Sequence, residues 1–437
     1  MRIKKLSIIL MALLLCALFT GCLLQSAEEL YQLPKQSEEY YTLQNQIDSV
    51  LQSGAEYCAP ISGDRRQAVQ LADLNSDGVE EAIAFFRMPG EKPLKIYIYQ
   101  KNQIGYEEAA VIEGDGSAFE SVDYRQIDTA LGLEIVVGRQ VSDQVPQTLS
   151  VYSLEGDHVT ELLNVSCIRH TVADLDSNGL QELLVFRSEE DSATGLTEYY
   201  AWSDGGLECE GSAAMSTALG SDSIRRIIRG MMQENTPAVF VANTYEENTI
   251  VTDVFILEDG AFLNVSALGE SANDVTRVRY RNVYSEDIDN DGLLELPTTV
   301  QLPKHHEEDT VPYYKIRWYN LHTDGTREYK QATFHNYTDG WYVDLLPQWE
   351  QRLVVDYEQD EQGLPGYWFY REENALFSVI ALTGMDAREL AESDGRFVLA
   401  QKGDVVYAGR IYDETITREQ LQSVFHFIFT DWNSGEV

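Results

Sequence analysis

Basic residues are scarce in this chain. Its 437 residues hold 32 Lys and Arg against 72 Asp and Glu, for a formal net charge of −40. So acidic a polymer repels phosphate rather than releasing counterions from it, which excludes non-specific nucleic-acid binding. Cysteine is also rare. Beyond the N-terminal segment only Cys58, Cys167 and Cys209 remain. Three is odd, so at most one disulfide forms. Small buried residues are the expectation, with a Cys167–Cys209 bridge as the alternative. No Cys-x-x-Cys or Cys/His spacing points to zinc. Metalloprotease, nucleophile-elbow and phosphate-loop motifs are all missing. The histidines are scattered, and the His305-His306 pair sits in a polar stretch before Glu307 and Glu308. A solvated loop is the expectation there, with metal contact as the alternative.

The N-terminus carries an address. Arg2, Lys4 and Lys5 precede an apolar run from Leu6 to Phe19, then Thr20, Gly21 and Cys22. A basic start, a short apolar core and a small residue before the cut describe a secretory signal over residues 1–21. The run is too short for a comfortable membrane span, and nothing after residue 22 reads as one. Leu18-Phe19-Thr20-Gly21-Cys22 resembles a bacterial lipobox, with Phe19 in place of the usual Leu. The resemblance implies cleavage before Cys22 and lipid on its sulfur. The protein would then be held on the outer face of the cytoplasmic membrane by a tether of residues 22–36. Losing three basic residues with the signal takes the charge from −40 to −43.

A repeat dominates the rest. Three loops read D-x-[DN]-x-[DN]-G-x-x-E: Asp73 to Glu81, Asp174 to Glu182 and Asp287 to Glu295. Each runs into a strand-like segment, Ala82–Phe86, Leu183–Phe186 and Leu296–Val300. A degenerate copy, Gln126 to Glu134, keeps only Asp128 and Glu134 at ligand positions. A fifth copy keeps the strand Ala238–Val241, which places the first loop position at Arg229. First positions at 73, 126, 174, 229 and 287 are spaced by 53, 48, 55 and 58 residues, the period of a repeat architecture. Hairpin turns keep the same beat at Glu155-Gly156, Asp204-Gly205, Asp259-Gly260 and Asp324-Gly325. Small antiparallel sheets of about 50 residues stack radially as propeller blades. The expectation is a mainly β chain: a β-propeller-like domain over residues 37–336, with about five blades and an N-terminal helix, then a small α+β domain over 337–437.

The loops are built for a cation. They are not EF-hands, because position 12 is Ala84, Val185 or Thr298 rather than Glu. A last carboxylate at position 9, directly before a strand, resembles the FG-GAP or VCBS-type blades of integrin-like propellers. The resemblance implies calcium held by side chains at positions 1, 3, 5 and 9 and by the carbonyl at position 7. The first site is then Asp73, Asn75, Asp77, Val79 and Glu81. The second is Asp174, Asp176, Asn178, Leu180 and Glu182. The third is Asp287, Asp289, Asp291, Leu293 and Glu295. Calcium prefers several oxygens at once, and clustered carboxylates without a cation repel one another. The third loop has four carboxylates and the others three each, so the third is expected to bind tightest.

The flanks read differently. Residues 37–53 form an amphipathic helix with Tyr41, Leu43, Ile47, Val50 and Leu51 on one side, suited to packing on the first blade. After residue 337 come strands at Leu353–Tyr357, Tyr367–Tyr370, Leu376–Leu382, Phe397–Leu399 and Val405–Ala408, and a closing helix from Arg418 to Phe429. The strand order resembles PsbP-like α/β sandwiches, which bind or scaffold. The functional expectation is a non-enzymatic, calcium-stabilised binding or scaffolding lipoprotein with a protein or glycan ligand of the envelope. The alternatives are a polysaccharide-acting lyase or hydrolase, and a sensory or assembly subunit.

Overall fold

The computed structural model describes residues 38–141, 147–189, 192–245, 249–268, 277–278, 283–307 and 310–428. The signal segment, Cys22 and the tether lie outside them. Helix α1, Glu38–Gln52, opens the described chain. Six antiparallel sheets follow.

The second to fourth sheets are simple meanders, which is what short turns between alternating strands produce. The second runs Ala118–Arg125, Glu134–Gln140, Gln147–Glu155 and His158–Cys167. The third runs Arg169–Ala173, Glu182–Arg187, Leu196–Ser203 and Gly206–Ala214. The fourth runs Ile224–Met232, Thr236–Thr244, Ile250–Glu258 and Ala261–Asn264, with Arg277–Val278 added against Ile250 and Val251. The first sheet centres on Val69–Ala72, Glu81–Arg87, Leu94–Lys101 and Tyr106–Gly114, with Glu56–Tyr57 added. In each of these four sheets a first strand leads into the loop or turn, and a second strand leads out of it.

The second strands are apolar on both faces. Ala82 to Phe86 and Leu183 to Phe186 are fully buried, because each sheet is sandwiched between neighbours. Ile83 and Phe85 pack with Phe119, Val122 and Ile135 between the first and second sheets. Val136 and Val151 meet Leu183 and Val185 between the second and third. Leu184 and Phe186 meet Val239 and Phe255 between the third and fourth. Aromatic pairs sharpen these seams: Phe85 stands edge-on to Phe119 with centroids 5.2 Å apart, and Phe334 to Phe369 at 5.1 Å.

The fifth sheet joins Leu296–Gln301, Tyr314–Leu321, Arg327–Asn336, Trp341–Leu345 and Phe425–Phe427. The sixth orders Leu353–Gln359, Pro365–Arg371, Asn374–Leu382, Val405–Ile411 and Arg396–Lys402. All five strands expected after residue 337 are present here. The closing helix is shorter than expected. Helix α4 spans only Arg418–Ser423, and the chain then turns to strand because Phe425 and Phe427 alternate toward an edge of the fifth sheet, where they pair with Val343 and Trp341. The line drawn at residue 336/337 thus falls between two paired strands. Two short helices sit near the sixth sheet: a single turn, α2, at Pro347–Glu350, and α3 at Ala387–Ala391.

The row of sheets ends in a helix on either side. Leu43 and Ile47 of α1 cover Ala82, Ala84 and Phe86 of the first sheet. Ala387 and Ala391 of α3 cover Trp368, Tyr370 and Ile380 of the sixth. Among the described residues no hydrophobic cluster joins the first sheet to the sixth. The stack is a propeller-like arc with capped ends. Tyr41, expected on the packing side of α1, is instead 63% exposed, because two residues before Leu43 falls on the opposite side of the helix. Cys58 and Cys167 are buried as free thiols, but Cys209 is exposed and unbridged.

Candidate functional site

The three acidic loops share one hydrogen-bond pattern. The position-one Asp accepts the N–H groups of positions five and six. Asp73 takes those of Asp77 and Gly78 at 3.1 and 2.9 Å. Asp174 takes those of Asn178 and Gly179 at 3.1 and 3.0 Å. Asp287 takes those of Asp291 and Gly292 at 2.9 and 2.9 Å. The position-five side chain accepts the N–H of Val79, Leu180 or Leu293 at 2.8, 2.6 and 2.9 Å. Such local bonds fold the turn upon itself. Two residues per loop adopt positive φ: position six, always Gly, at 85°, 92° and 91°, and position four, Ser76, Ser177 and Asn290, at 58°, 59° and 61°. Glycine takes this conformation without steric cost. Its use at position four carries no glycine signal in the sequence.

Position nine is a latch. Glu81, Glu182 and Glu295 each accept the N–H of position two, from Leu74, Leu175 and Ile288, at 2.8, 2.8 and 3.0 Å. The degenerate loop keeps this latch, with Ile127 donating to Glu134 at 2.7 Å. That is why Glu134 persists where most other ligand positions are lost. All four glutamates are almost fully buried. Burial, followed by neighbouring carboxylates, pushes Glu182 and Glu295 up to about 7 against the pull of one backbone N–H each. Glu81 and Glu134 move in the same direction.

The donor sets fit a hard cation. Ligand oxygens of Asp174, Asp176 and Glu182 lie within 4.8 Å of one another, as do those of Asp287, Asp289 and Asp291. Oε1 of Glu295 is buried and accepts no hydrogen bond, which leaves an oxygen for an ion. A calcium ion at these residues would neutralise the clustered charge and tie each loop to the strand behind it. The first loop differs in that Asn75 donates its amide to Oε1 of Glu81 at 3.0 Å. The third loop has an internal cation. Lys330, on Arg327–Asn336, places its ammonium 2.7 Å from Asp289 and 2.5 Å from Asp291. Counting carboxylates along the sequence could not register this competitor.

The fourth unit has no acidic loop. Arg229, aligned to a first loop position, lies inside the strand Ile224–Met232. The connection to the next strand is only Gln233–Asn235, with Glu234 and Asn235 at φ 61° and 53°. A buried carboxylate serves this unit instead. Asp253 accepts Ser216 Oγ at 2.6 Å, Asn264 Nδ2 at 2.8 Å and Asn243 Nδ2 at 2.9 Å, together with the Ser216 N–H.

Arginines gather where the first strands of the sheets converge. A cleft of about 380 Å³ is lined by Arg66, Arg125, Arg169 and Arg229, with Asp64, Glu120, Asp123 and His170 among them. Arg169 pairs with Glu120 at 3.2 Å and Arg125 with Asp123 at 3.1 Å. Arg229 donates to the Val172 carbonyl at 3.1 Å and has no carboxylate partner among the described residues. Burial holds His170 down at about 4, so its ring is neutral. A second depression shares Arg125 and Arg229 and runs to Asp174 and Ser177 of the second acidic loop. Only Arg229 of these arginines stands out in the sequence, and there as a lost loop position. The cleft could not be read from the chain because its residues come from four separate units.

His305 also departs from expectation. Rather than lying in solvent, it is packed on Tyr370 of the sixth sheet, its side chain 10% exposed.

No family model matches the chain, and no curated protein matches it. Solved structures similar to it include Sqt1 of Chaetomium thermophilum, at TM-score 0.32 and 9% identity, covering 83% of this chain and 99% of that one. Another is the exotype rhamnogalacturonan lyase YesX, at TM-score 0.30 and 10% identity, covering 81% and 87%. The rhamnogalacturonan lyase YesW gives TM-score 0.30 and 11% identity, covering 73% and 76%. This chain is mainly β, built of small antiparallel sheets in propeller-like order.

Proposed function

We propose that the chain is a non-enzymatic binding or scaffolding module of the cell envelope. In this reading it is anchored through lipid on Cys22 to the outer face of the bacterial cytoplasmic membrane. Its loops hold FG-GAP-like or VCBS-like calcium ions, which set the angle of each blade's first turn. The observation that carries the reading is the arginine-bearing cleft. In a chain with net charge −40, four guanidinium groups against three carboxylates (Asp64, Glu120 and Asp123) leave this one concavity with a single positive charge in excess. Guanidinium forks suit planar anions, so the ligand is an envelope glycan bearing carboxylate groups. The hydroxyls of Ser62, Ser121 and Thr171, on the same walls, suit its polar rim.

The test immobilises the protein and challenges it with acidic and neutral envelope glycans, in calcium and in chelator. Retention of the acidic fraction in calcium, lost in Arg229→Ala and in high salt, is the expected result. Equal retention of neutral glycan, or an unchanged Arg229→Ala, defeats the reading.

One observation favours a second reading, a polysaccharide-acting enzyme. Arginines, a neutral histidine and carboxylates converge in the same cleft, as acid–base chemistry requires. New reducing ends from a retained acidic glycan, lost in His170→Ala, would decide for it.

A further inference from the structure

The stretch after Leu296–Gln301 of the fifth sheet carries two histidines onto the sixth sheet. His305 stacks on Tyr370 with ring centroids 4.1 Å apart, and His306 stacks on His305 at 4.3 Å. Nδ1 of His305 lies 3.4 Å from Asp356 Oδ2 and 3.3 Å from Glu358 Oε1, yet it is buried without completing a hydrogen bond. A buried polar atom without a partner calls for an explanation, and beside two carboxylates and a second imidazole a bound cation is one. Ligand atoms of His305, His306 and Asp356 all fall within 4.8 Å of one another. A tetrahedral ion with bonds of ~2.0–2.1 Å sets its ligand atoms roughly 3.3–3.4 Å apart, the spacing found around His305 Nδ1.

We propose that His305, His306, Asp356 and Glu358 bind a zinc-class divalent cation, at a site separate from the acidic loops. The donor chemistry makes the distinction. Calcium takes oxygen ligands, whereas imidazole nitrogen with carboxylate suits zinc. An outer layer is already in place, since the Tyr370 hydroxyl donates to Glu358 Oε1 at 2.8 Å. Hydrogen bonds of this kind orient a ligand before the metal arrives. The ion would staple the loop leaving the fifth sheet to the strand Leu353–Gln359 of the sixth. The competing account is direct contact of His305 with the two carboxylates and no metal.

The experiment takes the purified full chain, strips it with chelator and returns it to millimolar calcium so that the acidic loops are occupied. Cobalt(II) is then titrated as a spectroscopic substitute for zinc. The expected result is saturable uptake with the visible absorption of low-coordinate cobalt, displaced by zinc. His305→Ala abolishes it. His306→Ala, at an exposed position that leaves the core intact, weakens it by more than about 100-fold, and Tyr370→Phe by about 10-fold. Absence of saturable uptake in calcium, or uptake unchanged in both histidine variants, overturns the site.

Discussion

The third and fourth sheets solve one problem by opposite means. Both are built on a four-strand meander, to which the fourth adds Arg277–Val278, and they share a hydrophobic seam. The third fixes its first turn with Asp174, Asp176, Asn178 and the buried Glu182, the three carboxylates lying within 4.8 Å of one another. The fourth shortens that turn to Gln233–Asn235 and takes its polar anchor inside, at Asp253. On the calcium reading one anchor depends on an ion from solution; the other is covalently part of the chain. A unit can therefore lack the acidic loop and keep its place in the stack, with a polar knot that joins its second, third and fourth strands instead.

The largest effect that would break this comparison is calcium removal. At calcium ~1,000-fold above its dissociation constant, each filled loop adds about 4 kcal/mol. Chelator should lower the unfolding midpoint and speed hydrogen exchange in the first, third and fifth sheets, while the fourth keeps its protection. Equal loss in the fourth would show that its anchor is not independent.

Next in size is Asp253→Ala. It strands the donors of Ser216, Asn243 and Asn264 in the interior, at a cost of about 3–5 kcal/mol. The loss should be the same in calcium and in chelator, as read by denaturant titration. A calcium-dependent loss would join the two anchors into one system.

Lys330→Met sharpens the comparison at the third loop. Removing the tethered ammonium from Asp289 and Asp291 should raise calcium affinity there about tenfold, or about 1.4 kcal/mol. Stepwise calorimetric titration of the variant against the parent measures it, and unchanged affinity would mean that Lys330 does not compete.

The smallest effect is on pH. Burial holds the Asp253 carboxyl above its ordinary value, against the donors of Ser216, Asn264 and Asn243. A raised value means the folded chain keeps this proton more tightly than the unfolded one. Its contribution is complete below the unfolded value of about 3.9 and is lost as pH rises through the folded value. Stability in chelator should therefore fall as pH rises from about 3.9 to the folded value and level off above it, and Asp253→Asn should flatten that part of the profile. An identical slope in the variant would assign the dependence elsewhere.

Much of the fold was legible because it repeats. Alternating strands, Asp-Gly turns and the acidic loops each encode a local structure, and local structure survives in any context. The loops' internal geometry was legible for the same reason: Asp73, Asp174 and Asp287 bond to their own turns. What escaped was set by distance or by competition. Lys330 reaches Asp291 from 39 residues along the chain. The arginine cleft exists only once three first strands and the segment before Val69–Ala72 converge. Aligning the fourth unit by its strand carried over a loop length that the chain had already discarded. The sequence predicts a closing helix from Arg418 to Phe429, but an open sheet edge favours extended backbone from Phe425 onward.

That edge has a consequence for how the molecule is assembled. Phe425–Phe427 finishes the fifth sheet, but the whole sixth sheet lies between it and Trp341–Leu345 in sequence. The fifth sheet therefore cannot be sealed until the sixth has been synthesised and folded back. The last stitch is a long-range one, which makes it late and slow. A protease that trims the chain just before residue 425 would leave Trp341–Leu345 as a bare edge, open to pairing with a stranger's strand.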